Sequence, residues 1–350
     1  MKLLKELNPK NKKILVRGDL DVPISNGKIT DPFRLDILLK TLKYLLSAKK
    51  IYLIGHCGKP EGKIAETLRL KPQAKYLAKK LGLQLAENSC RKFNRRYLLG
   101  EKVEILENLR FFPGEEKNSK KFAEKLAHLA QAFVFEAFAV SHRKHASVYW
   151  LSRLLPTYLG LRAEKEISVL SQLRKQERQT ILLVGGAKAE DKAELIKDFF
   201  AKKILLGGKT ANELWLKKNK IKQKNLVFPI DGVIENRLIN DYKKMTKQEI
   251  EKVRDIGPKT IDNYKTIIKK EGKYIIFAGP MGQFEKKKFA QGTKKLYKTA
   301  LQTGKQTVLL GGDSAYAALK FNLRDRFSYV SIGGGASLNY LISGKNFLGR

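Results

Sequence analysis

Continuous apolar runs alternate with amphipathic helical stretches along the whole of this 350-residue chain. KKILVRG and KKIYLIG in the first half, and QTILLVGG and QTVLLGG in the second, have the composition of buried strands. Between such runs, stretches such as FRLDILLKTLKYLLSA repeat apolar residues at helical spacing. Strands without polar alternation are typical of parallel sheets with both faces covered by helices. The chain is therefore predicted to be α/β, built from doubly wound parallel sheets of the Rossmann-like kind.

The chain is long enough for two domains, because a single hydrophobic core rarely grows to this length. The stretch GLRAEKEISVLSQLRKQERQ, residues 160–179, is too charged for a strand and separates two halves of different residue usage. We therefore predict an N-terminal domain over residues 1–159 and a connecting helix over 160–179. A C-terminal domain over 180–335 and a terminal segment over 336–350 complete the prediction.

The charge balance is strongly basic, with 71 lysines and arginines against 34 aspartates and glutamates, a formal net charge of +37. Such an excess attracts polyanions, either nucleic acid or phosphorylated metabolites and nucleotides. The basic residues are spread over solvated segments such as KKNKIKQKNL and form no RNP, zinc-finger or basic-zipper pattern, which favours a compositional habit over specific nucleic-acid binding. Two cysteines, no signal-like N-terminus and no apolar run of membrane-spanning length predict a cytoplasmic protein.

Four apolar runs of the second half end in glycine pairs that lead into helix-like stretches: ILLVGGAKAEDK, KILLGGKTANEL, TVLLGGDSAYAA and YVSIGGGASLNY. In doubly wound sheets ligands bind at this edge, where glycine allows close approach of a phosphate and helix amides point at the anion. Neither a Walker P-loop nor a G-x-G-x-x-G fingerprint is present. Four copies in one domain predict a nucleotide polyphosphate site.

Individual side chains near these turns have two interpretations. Lys188 and Lys192 are four residues apart and would share one face of a helix near its positive end, or they are solvated surface lysines. Asp313 is either a carboxylate on the magnesium side of a nucleotide or a helix N-cap.

Cations follow the apolar runs of the first half, which contains all four histidines. RGDLDVP, DPFR, IGHCGKP, ENLRFF and SHRKH bring potential ligands to one sheet edge: Asp19, Asp21, Arg34, His56, Lys59, Arg110, His142, Arg143 and His145. Such a cluster suits a small molecule with phosphate and carboxylate groups. The structural alternatives are a plain helix position for His128, a loop-bracing His145 and an Arg17 that pairs with Asp19. A nucleotide site and a small-anion site in one chain favour a kinase whose lobes close around both ligands.

These motifs, in this order, resemble the phosphoglycerate kinase family over essentially the whole chain. RGDLDVP is similar to R-x-D-x-N-V-P, ITDPFRL to I-T-D-x-x-R-I, GHCGKPEGK to S-H-L-G-R-P-x-G-K, and EAFAVSHRKHAS to D-A-F-G-x-A-H-R-x-H-A-S. LENLRF, GGAKAEDK, DIGPKT, AGPMGQFE, GGDS and GGGASL follow. The resemblance implies reversible phosphoryl transfer between 1,3-bisphosphoglycerate with ADP and 3-phosphoglycerate with ATP, with Mg²⁺, in a monomer whose C-terminal segment returns to the first lobe.

By motif position, the resemblance also implies a role for each site residue. The phosphoglycerate ligands would be Asp19, Asp21, Arg34, His56, Lys59, Arg110 and Arg143. The nucleotide ligands would be Lys188, Lys192, Glu285, Gly311, Gly312, Asp313 and Ser314, with Asp313 on the metal side. Arg34, Lys192 and the amides of Gly334 and Gly335 would stabilise the transferred phosphoryl group.

The chain departs from the family pattern at several of these positions. Asp21 replaces an asparagine, Lys59 an arginine, Ala278 an asparagine, Leu310 a glycine and Ile332 a threonine, and Phe135-Glu136 stands where the family has Asn-Asp. Two other functions stay open at this point. One is a catalytically weak homologue that binds nucleic acid, and the other is a two-lobed kinase for a different acidic metabolite.

Overall fold

The computed structural model describes residues 1–90, 93–186, 190–217, 223–235 and 237–344. The chain divides into two compact units, the first covering Met1–Ser168 and the second beginning at Val169. The division falls inside a helix that spans Leu161–Lys175, within the predicted connecting segment. The domain boundaries themselves stay a prediction. None of the helices in the described part of the chain combines the length and the apolar character that a membrane span requires.

The first unit is built on an eight-stranded sheet in the order β1-β10-β9-β2-β5-β8-β7-β6. Every neighbouring pair from β1 to β8 in that order is parallel, and β7 pairs antiparallel with β8 and β6. A separate two-stranded ribbon pairs β3 with β4. The strands are β1 Lys2–Leu3, β2 Lys13–Arg17, β3 Ile24–Ser25, β4 Lys28–Ile29, β5 Lys50–Ile54, β6 Leu85–Cys90, β7 Asn94–Leu99, β8 Val103–Leu106, β9 Ala132–Phe135 and β10 Thr157–Leu159.

The helices of the first unit cover this sheet with apolar faces. The buried residues of the first helix, among them Leu35, Leu38, Leu42 and Leu45, recur at helical spacing and enter one core with the strand residues. The helices are α1 Phe33–Leu45, α2 Lys71–Leu81, α3 Pro113–Glu116, α4 Lys120–Ala127, α5 Ala146–Tyr149, α6 Leu151–Leu154 and α7 Leu161–Lys175, the last of which continues into the second unit.

The second unit has a six-stranded, fully parallel sheet in the order β13-β12-β11-β17-β18-β19. Numbered along the chain, this is the order 3-2-1-4-5-6 of a doubly wound nucleotide-binding sheet, in which ligands bind where the order reverses. The strands are β11 Thr180–Val184, β12 Lys203–Leu206, β13 Leu226–Val227, β14 Gly232–Ile234, β15 Arg237–Ile239, β16 Asp255–Ile256, β17 Tyr274–Ala278, β18 Gln306–Leu310 and β19 Tyr329–Ser331.

Seven further helices belong to the described part of this unit: α8 Glu190–Asp198, α9 Gly208–Leu216, α10 Lys247–Lys252, α11 Pro258–Lys270, α12 Gln291–Gln302, α13 Gly312–Lys320 and α14 Gly335–Ser343. The predicted C-terminal segment, 336–350, lies partly outside the described residues. Its described part belongs to α14, which contacts α8 of the same unit.

The predicted α/β class with doubly wound parallel sheets is confirmed, and three antiparallel features were not predicted, one of which is the β3–β4 ribbon. β6 and β7 form a hairpin at one edge of the first sheet, and β14, β15 and β16 form a small antiparallel sheet. Their sequences, such as LAENSC and NRRYLL, are polar because edge strands bury only part of their side chains. They therefore lack the continuous apolar runs that predict buried strands.

Candidate functional site

The predicted anion ligands of the first unit lie in loops that follow parallel strands. Their positions are Asp19 and Asp21 after β2, His56 and Lys59 after β5, Arg110 after β8 and Arg143 after β9. Because these strands are parallel, the loops lie at one edge of the sheet. Hydrogen bonds at Gly58 connect the loop after β5 with the loops after β2 and β8. The N–H of Gly58 donates to Asp21 Oδ1 at 2.9 Å, and its carbonyl accepts from Arg110 Nη1 at 2.7 Å.

Arg34 reaches this edge from the first turn of α1. Its Nη1 lies 3.0 Å and 3.1 Å from the two carboxylate oxygens of Asp19, and about a quarter of its side chain is exposed. The Asp19 carboxylate raises the pKa of Arg34, which keeps the guanidinium charged. Arg34 is thus a fixed cation at the first unit's sheet edge.

Arg17 does not pair with Asp19 as the structural alternative supposed, because Asp19 is held by Arg34. Arg17 is fully buried, and its side chain turns inward from the end of β2 to donate to Ser147 Oγ, Gly18 O and His56 Nδ1. The strand β2 ends at Arg17, so Asp19 and Asp21 lie in the loop that follows it.

The pKa values of His56 and His145 are both lowered at this edge of the sheet. Burial, followed by the charge of Arg17 and then of Arg110, lowers the pKa of His56 well below its usual value. Burial, followed by Arg110 and Arg17, lowers the pKa of His145 to about 3. Both rings are neutral at pH 7, and the positive field that keeps them so would attract an anion.

The remaining ligands of the first unit differ in exposure. The side chain of Lys59 is exposed and that of Arg143 is half-buried. Burial lowers the pKa of Arg110, and the charge of Arg143 lowers it further, so these two cations interact electrostatically. His128 follows the end of α4, exposed, with its ring Nδ1 against the Glu124 carbonyl, and lies apart from this group as expected.

In the second unit, glycine turns follow the strands at the reversal of strand order. Gly185 follows β11, and Gly279 follows the neighbouring β17. A Cβ on Gly185 would lie 2.1 Å from Pro280 O, and one on Gly279 would lie 2.3 Å from Gly185 O. Gly279 also has a positive φ of 109°. The two turns can approach each other this closely only without side chains.

Lys192 extends from α8 across these turns. Its ammonium group donates to the Gly185 carbonyl, and a Cβ on Gly186 or on Gly279 would lie 3.2 Å or 2.8 Å from its Nζ. Its partner in the predicted lysine pair, Lys188, lies outside the described residues. The predicted cation Lys192 is thus placed at the switch point of the sheet.

Two helices begin at the same edge after glycine turns. The N-cap of α13 is Gly311, with φ 88°, and that of α14 is Gly334, with φ 51°. Gly312 and Gly335 are the first residues of these helices, whose free amides are suited to phosphate oxygens.

The predicted side-chain ligands of the nucleotide are placed differently from one another. Asp313 and Glu285 are exposed, and Lys320 Nζ donates to the carbonyl of Glu285 at 2.6 Å. Ser314 is buried, and its hydroxyl accepts from the N–H of Gly279 at 2.9 Å. Asp313 and Glu285 can therefore offer carboxylates to a ligand, whereas the Ser314 hydroxyl holds the turn after β17 in place.

Among the described residues, no group of three or more histidine, cysteine, aspartate or glutamate side chains could hold a metal ion by itself. Mg²⁺ is commonly bound through one or two carboxylates together with substrate phosphates. An exposed Asp313 in the first turn of α13 fits that kind of site.

A buried chain of hydrogen bonds behind the first unit's loops was missed at the level of sequence. Ser147 Oγ donates to Glu115 Oε1 at 2.6 Å and accepts from Arg17, and Ser147 N donates to Glu115 Oε2 at 3.0 Å. Glu115, in FFPGEEK, looks like a surface glutamate but is fully buried. No local sequence pattern predicts these hydrogen bonds, because they form only when three distant segments of the chain come together in the fold.

The model of the family described as "Phosphoglycerate kinase" matches residues 4–221 and 209–345 of this chain. The chain is 36% identical to the phosphoglycerate kinase of Dictyoglomus turgidum, over 97% of this chain and 94% of that protein. It is also 36% identical to the phosphoglycerate kinase of Leptospira biflexa, over 97% of this chain and 95% of that protein.

Solved structures give the same relationship. The phosphoglycerate kinase structure from Pyrococcus horikoshii superposes with a TM-score of 0.82 at 27% identity, and covers 99% of this chain and 97% of its own. That from Coxiella burnetii superposes with a TM-score of 0.78 at 28% identity, with the same coverages. The similarity extends over nearly the full length in both cases.

Proposed function

The chain belongs to the phosphoglycerate kinase family, and we propose how its residues carry out the reaction of that family. It is an ATP-dependent phosphotransferase of glycolysis that interconverts 1,3-bisphosphoglycerate and ADP with 3-phosphoglycerate and ATP. The alternative of a nucleic-acid-binding homologue receives no support from the comparisons, and the family assignment replaces the alternative of a kinase for another metabolite.

The first unit binds phosphoglycerate at its sheet edge. The observation that carries this proposal is the presence of Arg34, Arg110 and Arg143 at one sheet edge with His56 and His145, whose pKa values are lowered first by burial and then by the surrounding arginines. Guanidinium groups bind carboxylate and phosphate through paired hydrogen bonds, and both groups occur in 3-phosphoglycerate. Asp19 holds Arg34 in place, Asp21 and His56 line the same loop region, and Lys59 adds an exposed charge.

The second unit binds the nucleotide at the switch point of its sheet. The turns at Gly185 and Gly279 let the chain approach the ligand, and the amides of Gly312, Gly334 and Gly335 point toward phosphate oxygens. Gly311 forms the turn before α13, since its N–H donates to Ser331 O at 3.2 Å. Lys192 supplies charge at the same place, Ser314 fixes the turn, and Glu285 offers an exposed carboxylate to the nucleotide. Lys188 is proposed from its motif position alone.

Mg²⁺ is proposed to accompany the nucleotide, with Asp313 as its protein ligand on the exposed first turn of α13. When bound, the ion supplies positive charge that offsets the charge of the phosphate oxygens. The protein's own part is to hold the Asp313 carboxylate at the edge where the helix amides already favour anions.

The reaction needs no protein acid or base, because the carboxylate of 3-phosphoglycerate is a nucleophile in its ionised form. We propose that Arg34 and Lys192, with the amides of Gly334 and Gly335, stabilise the charge of the phosphoryl group during transfer. Catalysis then depends on positioning and on fixed charges. Closure of the two lobes, a monomeric state and a cytoplasmic location belong to the same proposal.

The deciding experiment is a coupled assay of the purified protein with ATP, Mg²⁺ and 3-phosphoglycerate. We expect turnover in the wild type and a fall in kcat of about 10²–10³ in Arg34→Ala, because a fixed charge at the transferred group is lost. Arg34→Lys keeps a cation for Asp19 and should retain more activity than Arg34→Ala.

Arg178→Ala is the matched control, because Arg178 is exposed in the short turn before β11 and belongs to neither ligand group. Its kcat should stay within about twofold of the wild type, as is usual for an exposed position. Background turnover in the wild type, or equal turnover in Arg34→Ala, would contradict the proposal.

A further inference from the structure

Arg17 uses all three of its side-chain nitrogens as donors inside the first unit. Nε donates to Ser147 Oγ at 2.9 Å, Nη1 donates to Gly18 O at 2.7 Å, and Nη2 lies 3.1 Å from His56 Nδ1. The side chain is fully buried, so the protein determines its geometry. These hydrogen bonds therefore restrict which atoms of the neighbouring side chains can carry a proton.

The restriction falls on the imidazole of His56. A guanidinium group has N–H donors and no acceptor, so the nitrogen facing Arg17 must offer a lone pair. Nδ1 of His56 is therefore unprotonated, the ring is neutral, and its proton is on Nε2. That nitrogen lies 3.8 Å from Oδ2 of Asp21, a residue with 40% of its side chain exposed. The N–H of His56 is thus on the side of the ring that a ligand can approach.

Arg17 is itself held by a directional chain of hydrogen bonds. Because Ser147 Oγ accepts from Arg17, its hydroxyl proton is free for Glu115, whose second oxygen accepts from Ser147 N. Burial raises the pKa of Glu115, whereas Arg17 and the hydrogen bonds from Ser147 lower it, and both carboxyl oxygens accept, as in the ionised form. Ser147 is the second residue of α5, next to the loop of Arg143 and His145, so these hydrogen bonds link that loop to His56.

We propose that Arg17 is a positioning residue that holds His56 as the neutral Nε2–H tautomer, so that His56 binds an oxygen of 3-phosphoglycerate as a hydrogen-bond donor and not as a cation. This inference rests on the proposed role of His56 in substrate binding. An imidazolium would lose its attraction for the substrate as pH rises through 6 to 7, whereas a neutral donor does not.

Burial and the cations around His56 favour the neutral ring, and the Asp21 carboxylate opposes them. Burial lowers the pKa of His56 most, and the charges of Arg17, Arg110 and Arg34 and the ring of His145 add to it. Asp21 is the acidic group near Nε2. The groups that face His56 are thus Arg17 from β2, Asp21 from the following loop, Arg34 from α1, Arg110 from the loop after β8, and His145 from the start of α5.

The tautomer is measured directly by NMR of the full-length protein with ring-¹⁵N histidine, with His56 assigned from the resonances missing in His56→Asn. We expect an acceptor-like Nδ1 and an N–H at Nε2, unchanged from pH 5.5 to 8. Addition of 3-phosphoglycerate should shift Nε2 and leave Nδ1 acceptor-like. A wild-type ring that carries a proton on Nδ1 at pH 7, or that titrates in this range, would overturn the inference.

Arg17→Met removes the donor, so His56 should show a mixed tautomer or begin to titrate, and the KM for 3-phosphoglycerate should become pH-dependent. Ser147→Ala removes the acceptor of Arg17 Nε and the hydroxyl that donates to Glu115, keeps the Arg17 side chain, and serves if Arg17→Met fails to fold. It should populate the Nδ1–H tautomer in part and raise the same KM. A wild-type tautomer and a pH-independent KM in the folded variants would count against Arg17 as the positioning residue.

Two substitutions of His56 separate its two nitrogens. Glutamine can place an N–H near the position of Nε2, whereas asparagine can place an acceptor near Nδ1 and leaves the Nε2 position empty. We expect the KM for 3-phosphoglycerate to be about tenfold lower in His56→Gln than in His56→Asn. Equal KM values, or a lower one in His56→Asn, would contradict a donor role.

The outcomes distinguish this inference from the proposed function. If the wild type shows no turnover but 3-phosphoglycerate shifts Nε2 of a neutral His56, the kinase proposal fails and the inference stands. If the wild type turns over and His56 is charged or carries its proton on Nδ1, the kinase proposal stands and the inference fails.

Discussion

At the scale of single residues, Asp21 is a carboxylate among the cations that are proposed to bind an anion. Its Oδ1 accepts from the N–H of Gly58 at 2.9 Å, and its side chain is 40% exposed. Asp19, in contrast, is buried and neutralised by Arg34. Asp21 therefore contributes a negative charge that an incoming substrate meets.

We expect Asp21→Asn to lower the KM for 3-phosphoglycerate by about three- to tenfold. Two like charges 4 Å apart repel by about 1 kcal/mol in bulk water and more near a protein surface. The asparagine oxygen can still accept from Gly58, so the loop should keep its conformation. The measurement is the KM for 3-phosphoglycerate at saturating ATP.

Glu101→Gln is the control for Asp21→Asn, because it removes the same charge just before β8, at the opposite edge of the sheet. Its KM should equal that of the wild type. An unchanged KM in Asp21→Asn would show that the carboxylate does not meet the substrate.

At the scale of elements, buried carboxylates from distant parts of the chain cap several helices. α7 and α11 follow Gly160 and Gly257, which have no side chain to accept from the first turn. A Cβ on Gly257 would lie 2.3 Å from Cγ of Asp231, and one on Gly160 would lie 2.0 Å from Oε2 of Glu136. The carboxylates occupy the space that the glycines leave open, and they accept from the free amides of the helices.

We expect Asp231→Ala to destabilise the second unit by about 1–3 kcal/mol, the cost of leaving buried donors unpaired. Asp231 accepts from Lys259 N, Thr260 N and Thr260 Oγ1 at the start of α11. Hydrogen exchange of the α11 amides should accelerate accordingly. Asp262→Asn on the exposed face of the same helix loses an ion pair with Lys265 and should have little effect. Unchanged protection in Asp231→Ala would refute the capping role.

Glu136 caps α7 in the same way, and its contribution to stability depends on pH. Its oxygens accept from Thr41 Oγ1 and from the N–H groups of Arg162 and Ala163, yet complete burial raises its pKa to about 7. The folded state therefore keeps a proton that the unfolded state releases from about pH 4.5 upward. The contribution of Glu136 to stability thus falls as pH rises from about 4.5 to 7, by at most about 1.4 kcal/mol per pH unit, and then levels off.

Glu136→Gln removes this titration. We expect the stability of the wild type relative to Glu136→Gln to decrease between pH 5 and 7, as measured by urea unfolding at each pH. The matched control is Glu164→Gln on α7, for which the difference from the wild type should not follow this course. A constant difference between the wild type and Glu136→Gln would mean that Glu136 does not bind a proton on folding.

At the scale of the whole molecule, the net charge of +37 acts on every anionic ligand. Long-range attraction raises association rates, and salt screens it over about 10 Å at 0.1 M ionic strength. The substrates of the kinase reaction are all anions, so the charge has a kinetic role that does not require nucleic acid as a partner.

We expect kcat/KM for 3-phosphoglycerate to fall at least about threefold between 0.02 and 0.2 M salt, with little change in kcat, because screening weakens the steering of the anion. Potassium chloride and potassium acetate should give the same curve if the effect is screening. A flat salt profile would exclude steering, and different curves for the two salts would indicate anion binding at the site instead.

The sequence by itself determined the α/β class, the glycine turns of the second half and the cations of the first, because these depend on local patterns. Continuous apolar strands can only be buried between helices, and a glycine pair at a strand end marks a close approach of backbone wherever the chain folds. The motif order also carried the family resemblance.

Which cation pairs with which carboxylate depends on the tertiary structure. Arg17 was open to pairing with Asp19 in the sequence, but Arg34 takes that carboxylate and leaves Arg17 to Ser147 and His56. The choice depends on contacts between residues 15, 39 and 130 positions apart, and polar side chains of one kind look alike in sequence. Burial and hydrogen-bond partners, which differ for each of these residues, exist only in the folded chain.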